Sequence, residues 1–281
     1  MEITLAPERL FLLEERLTLD EITQRAMDKR TSALGSLLSK PKPEEVTLVN
    51  KQRRLEPFWH VAGHAVYVYE RNREYSVPAA SPDVEALTIL GTRYEGQPQA
   101  VASSARTFRV PALEHCRTEI RSESFVDGLT GAAVADGAQV VEGPRSEVAD
   151  PATLADGDTI ALPPENRASY VVRALMGELI KPVQADKLLE EQVVLEATDL
   201  FYRPVWAFEF TWNGKAKNAI VEIDAVTGQT RTGKALVGQI RGALNRDLLF
   251  DVGADTVGLF VPGGSIAVKL AKAAIDSNKK K

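Results

Sequence analysis

The chain has 281 residues, 44% of them hydrophobic and 26% charged, with a net charge of −5 at pH 7. This composition is typical of a globular protein long enough for two domains, and its acidic balance argues against a nucleic-acid partner. No basic leader precedes an apolar stretch and no run approaches about 18 apolar residues, so we expect no secretory signal and no integral membrane segment.

The single cysteine, Cys116, excludes an intramolecular disulfide. A chain without disulfides fits a reducing compartment. The expected location is therefore cytoplasmic.

The first predicted unit spans residues 1–95. Thr18 followed by Glu21 has the spacing of a capping box and predicts the start of a helix, which Pro41 and Pro43 would end. Residues 44–70 follow, rich in β-branched and aromatic side chains, and they predict one long strand or two short ones.

The middle region, residues 96–165, contains six prolines and many small residues. It predicts short strands separated by turns, and we interpret it as an irregular, β-rich insertion or linker. Its charged stretch EHCRTEIRSESF would place Glu119 and Glu123 on one face of a helix, paired with Arg117 and Arg121. A solvated charged surface explains that pattern better than an acid–base pair.

The third predicted unit spans residues 166–234. The apolar pattern of ASYVVRALMGELI predicts a helix that Lys181 and Pro182 close, and a strand with an Asn213-Gly214 hairpin turn follows. Period-2 alternation places four aromatic residues on one face of this strand: Trp206, Phe208, Phe210 and Trp212. This face would pack under the preceding helix, or part of it would be an exposed recognition patch.

The two units share an order of features that predicts an internal repeat. Each has a helix ending at Lys-Pro, then an acidic strand entry, then Pro-x-Trp, at residues 57–59 and 204–206. Each also has an Asp-x-x-Thr-Gly turn, DGLTG at 127–131 and DAVTG at 224–228. Trp59 and Trp206 would be equivalent core anchors. Asp224 and Gly228 need only a structural role, because Asp accepts turn amide bonds and Gly adopts positive φ.

The helix, the Pro-x-Trp strand, the hairpin and the sequence VEIDAVTGQTRTG together resemble a PepSY-type domain. The resemblance covers residues 168–234 well and residues 20–80 weakly. It implies a small helix-on-antiparallel-sheet fold that serves as a regulatory, inhibitory or binding module. Members of the family are often exported or membrane-linked, and this chain departs from them because it shows no signal sequence.

The C-terminal region, residues 235–281, predicts helices broken by glycine and proline. Its apolar stretch 252–270 would dock on a partner or complete the core of the fold. Alternatively, the chain is a peripheral membrane protein that uses this stretch.

Metal chemistry would have to use the three histidines and the cysteine: His60, His64, His115 and Cys116. In a strand, His60 and His64 lie about 13 Å apart, which is too far to share one metal. A zinc-binding protein or metal-dependent hydrolase built on these residues is the alternative hypothesis. No catalytic residue and no other cofactor is predicted.

The sequence thus predicts an α+β protein: two helix-on-antiparallel-sheet units of PepSY-like type, a β-rich irregular middle region and a helical C-terminal segment. The predicted function is a non-enzymatic intracellular binding or accessory module that acts through contacts with a protein partner or as a homo-oligomer.

Overall fold

The computed structural model describes residues 1–35, 39–98, 106–215, 217–233, 249–250 and 267–270. The strands are β1 (Glu2–Leu5), β2 (Glu8–Leu13), β3 (Val46–Pro78), β4 (Ala86–Ile89), β5 (Thr92–Glu95), β6 (Gln97–Pro98), β7 (Arg106–Asp127), β8 (Arg145–Glu147), β9 (Ile160–Ala161), β10 (Lys187–Trp212), β11 (Lys217–Asp224), β12 (Thr230–Gly233) and β13 (Ala267–Leu270). The helices are α1 (Leu19–Leu34), α2 (Gly137–Val141) and α3 (Ala168–Leu179), with short 3-10 turns at Pro43–Glu45 and Pro151–Leu154.

One mixed sheet of eleven strands organises the described part of the chain, and β4 and β5 form a separate hairpin. The long strands β3 and β10 lie antiparallel at its centre, from Val46 opposite Trp212 to Glu70 opposite Lys187. β7 flanks β3, and β11 followed by β12 flanks β10, so the main order is β12-β11-β10-β3-β7-β6. The short strands β1 and β2 pair parallel with β10, and β9 pairs parallel with β3.

The ladder between β3 and β10 contains three register shifts, one of them between Leu195 and Ala197. Such bulges increase the local twist of a strand. Long strands in a sheet are twisted and coiled, and the bulges add to this twist. Gly63, opposite Leu195, allows a close approach of the two backbones. A Cβ at this position would lie 2.5 Å from the carbonyl oxygen of Val194.

The predicted capping box starts α1. The Thr18 hydroxyl oxygen accepts the Glu21 N–H at 3.3 Å, and the Glu21 carboxylate accepts the Thr18 N–H at 2.8 Å. The helix ends at Leu34, before the prolines that were expected to end it. Its buried side chains, Ile22 among them, pack on the aromatic face of β10 and on β11.

The helix α3 lies over the other end of the sheet. Its buried face consists of Val171, Val172, Leu175, Met176 and Leu179. These side chains join the largest core cluster together with Trp59 and Tyr67 of β3. α3 therefore covers β3 and β7.

Each long helix packs on the hairpin of the other half of the chain. α1 leads into β3 but lies on β10 and β11, whereas α3 leads into β10 but lies mainly on β3 and β7. The two halves thus exchange helices across the β3–β10 pair. Most of the contacts of each helix are therefore with the hairpin of the other half.

The two Asp-x-x-Thr-Gly turns have the same hydrogen bonding. The Asp127 carboxylate accepts the N–H groups two and three residues ahead at 2.9 and 2.8 Å, and that of Asp224 does so at 2.8 and 3.0 Å. Each turn ends on a glycine with positive φ, 76° at Gly131 and 74° at Gly228. The two sequences thus specify one turn geometry.

The prolines of the two Pro-x-Trp motifs also occupy matching positions. The Pro57 carbonyl accepts the N–H of Gly128 at 2.9 Å, and the Pro204 carbonyl accepts that of Ala225 at 3.0 Å. Both donors directly follow the turn aspartates. Duplication of the chain itself stays a prediction, because matched hydrogen bonds do not establish ancestry.

The predicted α+β architecture of two helix-on-sheet units is wrong. The structure is mostly β, and residues 1–95 and 166–234 share one sheet through β3 and β10. The middle region 96–165 is not merely irregular, because it supplies the 22-residue strand β7. Its alternation is one of charged and small residues rather than apolar ones, so hydrophobic periodicity gave only a weak strand signal there.

The prediction of a helical C-terminal segment at 235–281 falls mostly outside the described residues, as does the stretch 252–270. At residues 267–270 it is wrong, because these form β13 and pair parallel with β1. None of the helices in the described ranges is both long and apolar enough to cross a membrane.

Candidate functional site

In the part of the chain that the structure describes, the outer edge of β7 has no strand partner over most of its length. β6 pairs with β7 only at Arg106 and Thr107. At the other end, Val126 forms a bridge with Ala133, and the Phe125 carbonyl accepts the N–H of Val134 at 2.9 Å. Between these covers, no strand of the described residues pairs with this edge.

We call residues 112–124 the β7 window. Pro111 sets its N-terminal limit because proline has no N–H to offer an incoming strand, and the cover at Phe125 sets the other. In an edge strand, alternate N–H and C=O groups point away from the sheet and seek partners. Among the described residues, the window is therefore an unpaired stretch of edge with a cover beyond each end.

The two faces of the β7 window differ. Side chains at even positions, including Cys116 and Ile120, lie on the side of α3 and pack partly against the core. Side chains at odd positions point to the opposite face, which is exposed at every odd position from 113 to 123. This open face presents four charged residues of the window to solvent.

The charges on the open face alternate in sign at successive odd positions: Arg117, Glu119, Arg121 and Glu123. Arg121 Nη2 lies 2.6 Å from Glu119, and Arg117 Nη2 lies 3.4 Å from it. Hydrogen bonding to Arg121 lowers the pKa of the Glu119 carboxyl below its ordinary value. Exposed ion pairs of this kind exchange partners at low cost.

Glu123 connects the window to a partly buried polar cluster. His60 Nε2 lies 2.8 Å from the Glu123 carboxylate and His60 Nδ1 lies 3.5 Å from that of Asp199. Two hydrogen bonds of 2.8 Å from Arg9 hold the buried Asp199. The imidazole stacks on Phe125, with ring centroids 4.7 Å apart. Burial lowers the pKa of His60, but the Asp199 and Glu123 carboxylates raise it more, so this pKa lies above its ordinary value.

The other residues proposed to bind metal do not converge. His64 Nδ1 lies 2.7 Å from Glu196, and His115 Nδ1 lies 3.3 Å from Glu70, so each histidine has its own carboxylate. Cys116 Sγ lies 3.9 Å from Glu114. Within the described ranges, no group of three or more His, Cys, Asp and Glu side chains is arranged to hold a metal ion.

The aromatic residues singled out in the sequence belong to the interior. Phe208, Phe210 and Trp212 are buried beneath α1, with Trp206 partly buried beside them, rather than beneath α3 as expected. Trp59 is fully buried beneath α3. The sequence interpretation placed this face under the preceding helix, and the exchange of helices places it under the other one.

Two of the cavities in the described part of the chain border the long strands. One of about 210 Å³ lies where β3 passes Arg71–Arg73 and is lined by polar groups, including Gln184 and Asp186. The other, of about 50 Å³, lies between Arg203 and Arg231 near the pairing of β3 with β10. Its volume suits a few water molecules rather than a substrate.

A network of charges lies beside the smaller cavity, whose lining includes Glu56 and Arg231. The buried Glu222 carboxylate accepts hydrogen bonds from Arg54 at 3.1 Å and from Arg231 at 2.5 Å, and Arg231 also pairs with Glu56. Burial raises the pKa of Glu56 above its ordinary value despite Arg231. The network satisfies charges inside the sheet, so we assign it a structural role.

The sequence did not identify the β7 window as a binding site. The signal was present in EHCRTEIRSESF, where charged residues alternate with small or apolar ones, a period-2 pattern typical of a half-exposed strand. The same letters also give the i, i+4 charge spacing of a helix, and that interpretation displaced the strand.

A scan against family models found no matching family, and searches of curated proteins and of solved structures found no match. The resemblance to PepSY-type domains therefore stays a prediction.

Proposed function

We propose that this chain is a binding module that captures an extended segment of a partner protein by strand addition at the β7 window. The observation that supports the proposal is the unpaired stretch of the described β7 edge between its two covers. In strand addition, main-chain hydrogen bonds supply affinity and side chains on alternate positions supply specificity.

The pairing of β7 with β3 supports this role. β7 pairs with β3 along almost its whole length, from Asp127 opposite Phe58 to Thr107 opposite Pro78. The edge is therefore pre-ordered before a ligand arrives, which lowers the conformational entropy lost on binding. About thirteen residues at roughly 3.3 Å each give a site about 40 Å long.

The covers favour an extended peptide over a second copy of β7. A second copy would have to carry its whole long strand past the cover at Phe125 or past β6, and both positions are occupied. A linear segment of a partner protein fits between the covers.

Selection of peptides tests the proposal. A phage library of random peptides about thirteen residues long is panned on the full chain, and the enriched peptides are mapped by amide hydrogen exchange. We expect them to protect amides within residues 112–124. Enriched peptides that protect other strands only, or a selection without enrichment, would contradict it.

Two matched variants sharpen the test. Arg121→Glu changes an exposed arginine inside the window, whereas Arg109→Glu changes an exposed arginine on the same face of β7 outside it. The selected peptides should lose affinity for the first variant and keep it for the second. Equal losses would show that overall charge, not the window, governs binding.

A further inference from the structure

The charge order of the window specifies the kind of segment it accepts. We infer that the incoming strand carries basic and acidic side chains that alternate at every second position. Glu123, Arg121, Glu119 and Arg117 would then each face an opposite charge. This inference rests on the proposed strand addition and adds the chemistry of the partner.

Strand geometry makes this inference specific. Directly opposed side chains on one face of a sheet lie about 4.5–5.5 Å apart, so opposite charges attract and like charges repel at each position. All four charged groups point to the open face, where an added strand would place its own alternate side chains. A segment with one sign of charge would meet two like charges in any full register.

The existing ion pairs of Arg117, Glu119 and Arg121 do not block such contacts. Glu119 and Arg121 currently pair with each other along the strand, and Arg121 also lies 3.7 Å from Glu196. Both arginines of the set have side chains that are more than half exposed. Pairs this exposed contribute little to stability and are free to pair across strands instead.

The other face of the added strand has a different requirement. Ser122, Ile120 and Thr118 occupy the even positions between the charges, on the side of α3. Small or β-branched side chains match them across a strand. The complementary antiparallel heptapeptide is therefore KTEVKTE, in which Lys, Glu, Lys and Glu face positions 123, 121, 119 and 117.

The control peptide, KTKVETE, has the same composition, but its charges are grouped as two lysines followed by two glutamates. When it engages all four charged positions, in either direction, two of its charges face like charges. Both peptides are capped at their ends and titrated into the full chain at low salt, and backbone amide shifts of residues 112–124 are followed by NMR. We expect the alternating peptide to bind about fivefold more tightly or better, with the difference shrinking at high salt.

A charge-swapped variant makes the test decisive. The double variant Glu119→Arg, Arg121→Glu keeps the net charge and changes the order to two basic residues followed by two acidic ones. It should prefer KTKVETE over KTEVKTE, so the preference inverts. Both side chains are on the open face, and the dispersion of the amide spectrum verifies the fold of the variant.

The outcomes separate the two proposals. The inference that the incoming strand carries alternating charges is here called the charge rule. Equal binding of both peptides within the window would leave strand addition standing and overturn the charge rule. Binding of neither peptide would overturn the charge rule, and the library selection judges strand addition independently. A preference that does not invert in the double variant would also overturn the charge rule.

Discussion

Trp59 and Trp206 each donate an indole hydrogen bond to the segment that precedes a helix. Trp59 Nε1 donates to the Asn166 carbonyl at 2.7 Å, just before α3, and Trp206 Nε1 donates to the Glu15 carboxylate at 3.2 Å, just before α1. Each tryptophan therefore ties its hairpin to the helix that the other half supplies.

Replacing the two tryptophans with phenylalanine should have unequal effects. Trp59→Phe opens space in a fully buried site and removes the donor to Asn166, so we expect a loss of about 3 kcal/mol in the free energy of unfolding. Trp206→Phe should cost about 1 kcal/mol, because Glu15 keeps its bond with Arg53 at 2.6 Å. Urea denaturation measures both. Equal losses would contradict the assigned burial.

Alanine substitutions at two glycines should change stability in opposite directions. Gly63→Ala brings a methyl group against the backbone of β10, and we expect a loss of about 1–3 kcal/mol. Gly177→Ala has open space around it in α3 and should gain up to about 1 kcal/mol. Thermal or urea unfolding measures the pair. A neutral Gly63→Ala would mean that β3 and β10 do not approach as described.

The matched turns predict matched losses. Gly131 and Gly228 both have positive φ, where an alanine costs about 1–2 kcal/mol. Gly131→Ala and Gly228→Ala should therefore lower the free energy of unfolding by similar amounts, within about 1 kcal/mol of each other. A large loss at one glycine and none at the other would show that the turns are not equivalent.

The His60 cluster predicts a pH effect on stability. The pKa of His60 is raised in the folded chain, so the folded state binds the proton more tightly than the unfolded state, whose pKa is about 6.5. This stabilisation is complete below pH about 6.5 and is lost as the pH rises through the folded pKa.

An NMR titration of the His60 ring measures this pKa. Glu123→Gln removes one of the two carboxylates that raise it and should lower the pKa of His60. A wild-type pKa at or below the ordinary value, or one that Glu123→Gln does not lower, would rule out the proposed linkage.

The sequence predicted local features better than architecture. The capping box at Thr18 is confirmed because it depends on side chains within one helical turn. The strand face of Phe208 and Phe210 was identified by its period of two. The helix that covers this face could not be identified, because exchange of helices depends on contacts between residues far apart in sequence.

The β7 window illustrates a second limit. The letters of residues 114–125 fit both a charged helix and a half-exposed strand, and only the ladder with β3 decides between them. Whether an edge is covered depends on the ends of neighbouring strands, such as Gln97–Pro98. No local pattern in the sequence of β7 predicts whether its edge is covered.

Amide hydrogen exchange of the free, full chain tests most directly whether the β7 window is open. An uncovered edge predicts that alternate amides of residues 112–124 exchange fast, while the amides between them, bonded to β3, are strongly protected. Uniform protection across the window would show that the edge is already paired, and it would contradict the proposed binding site.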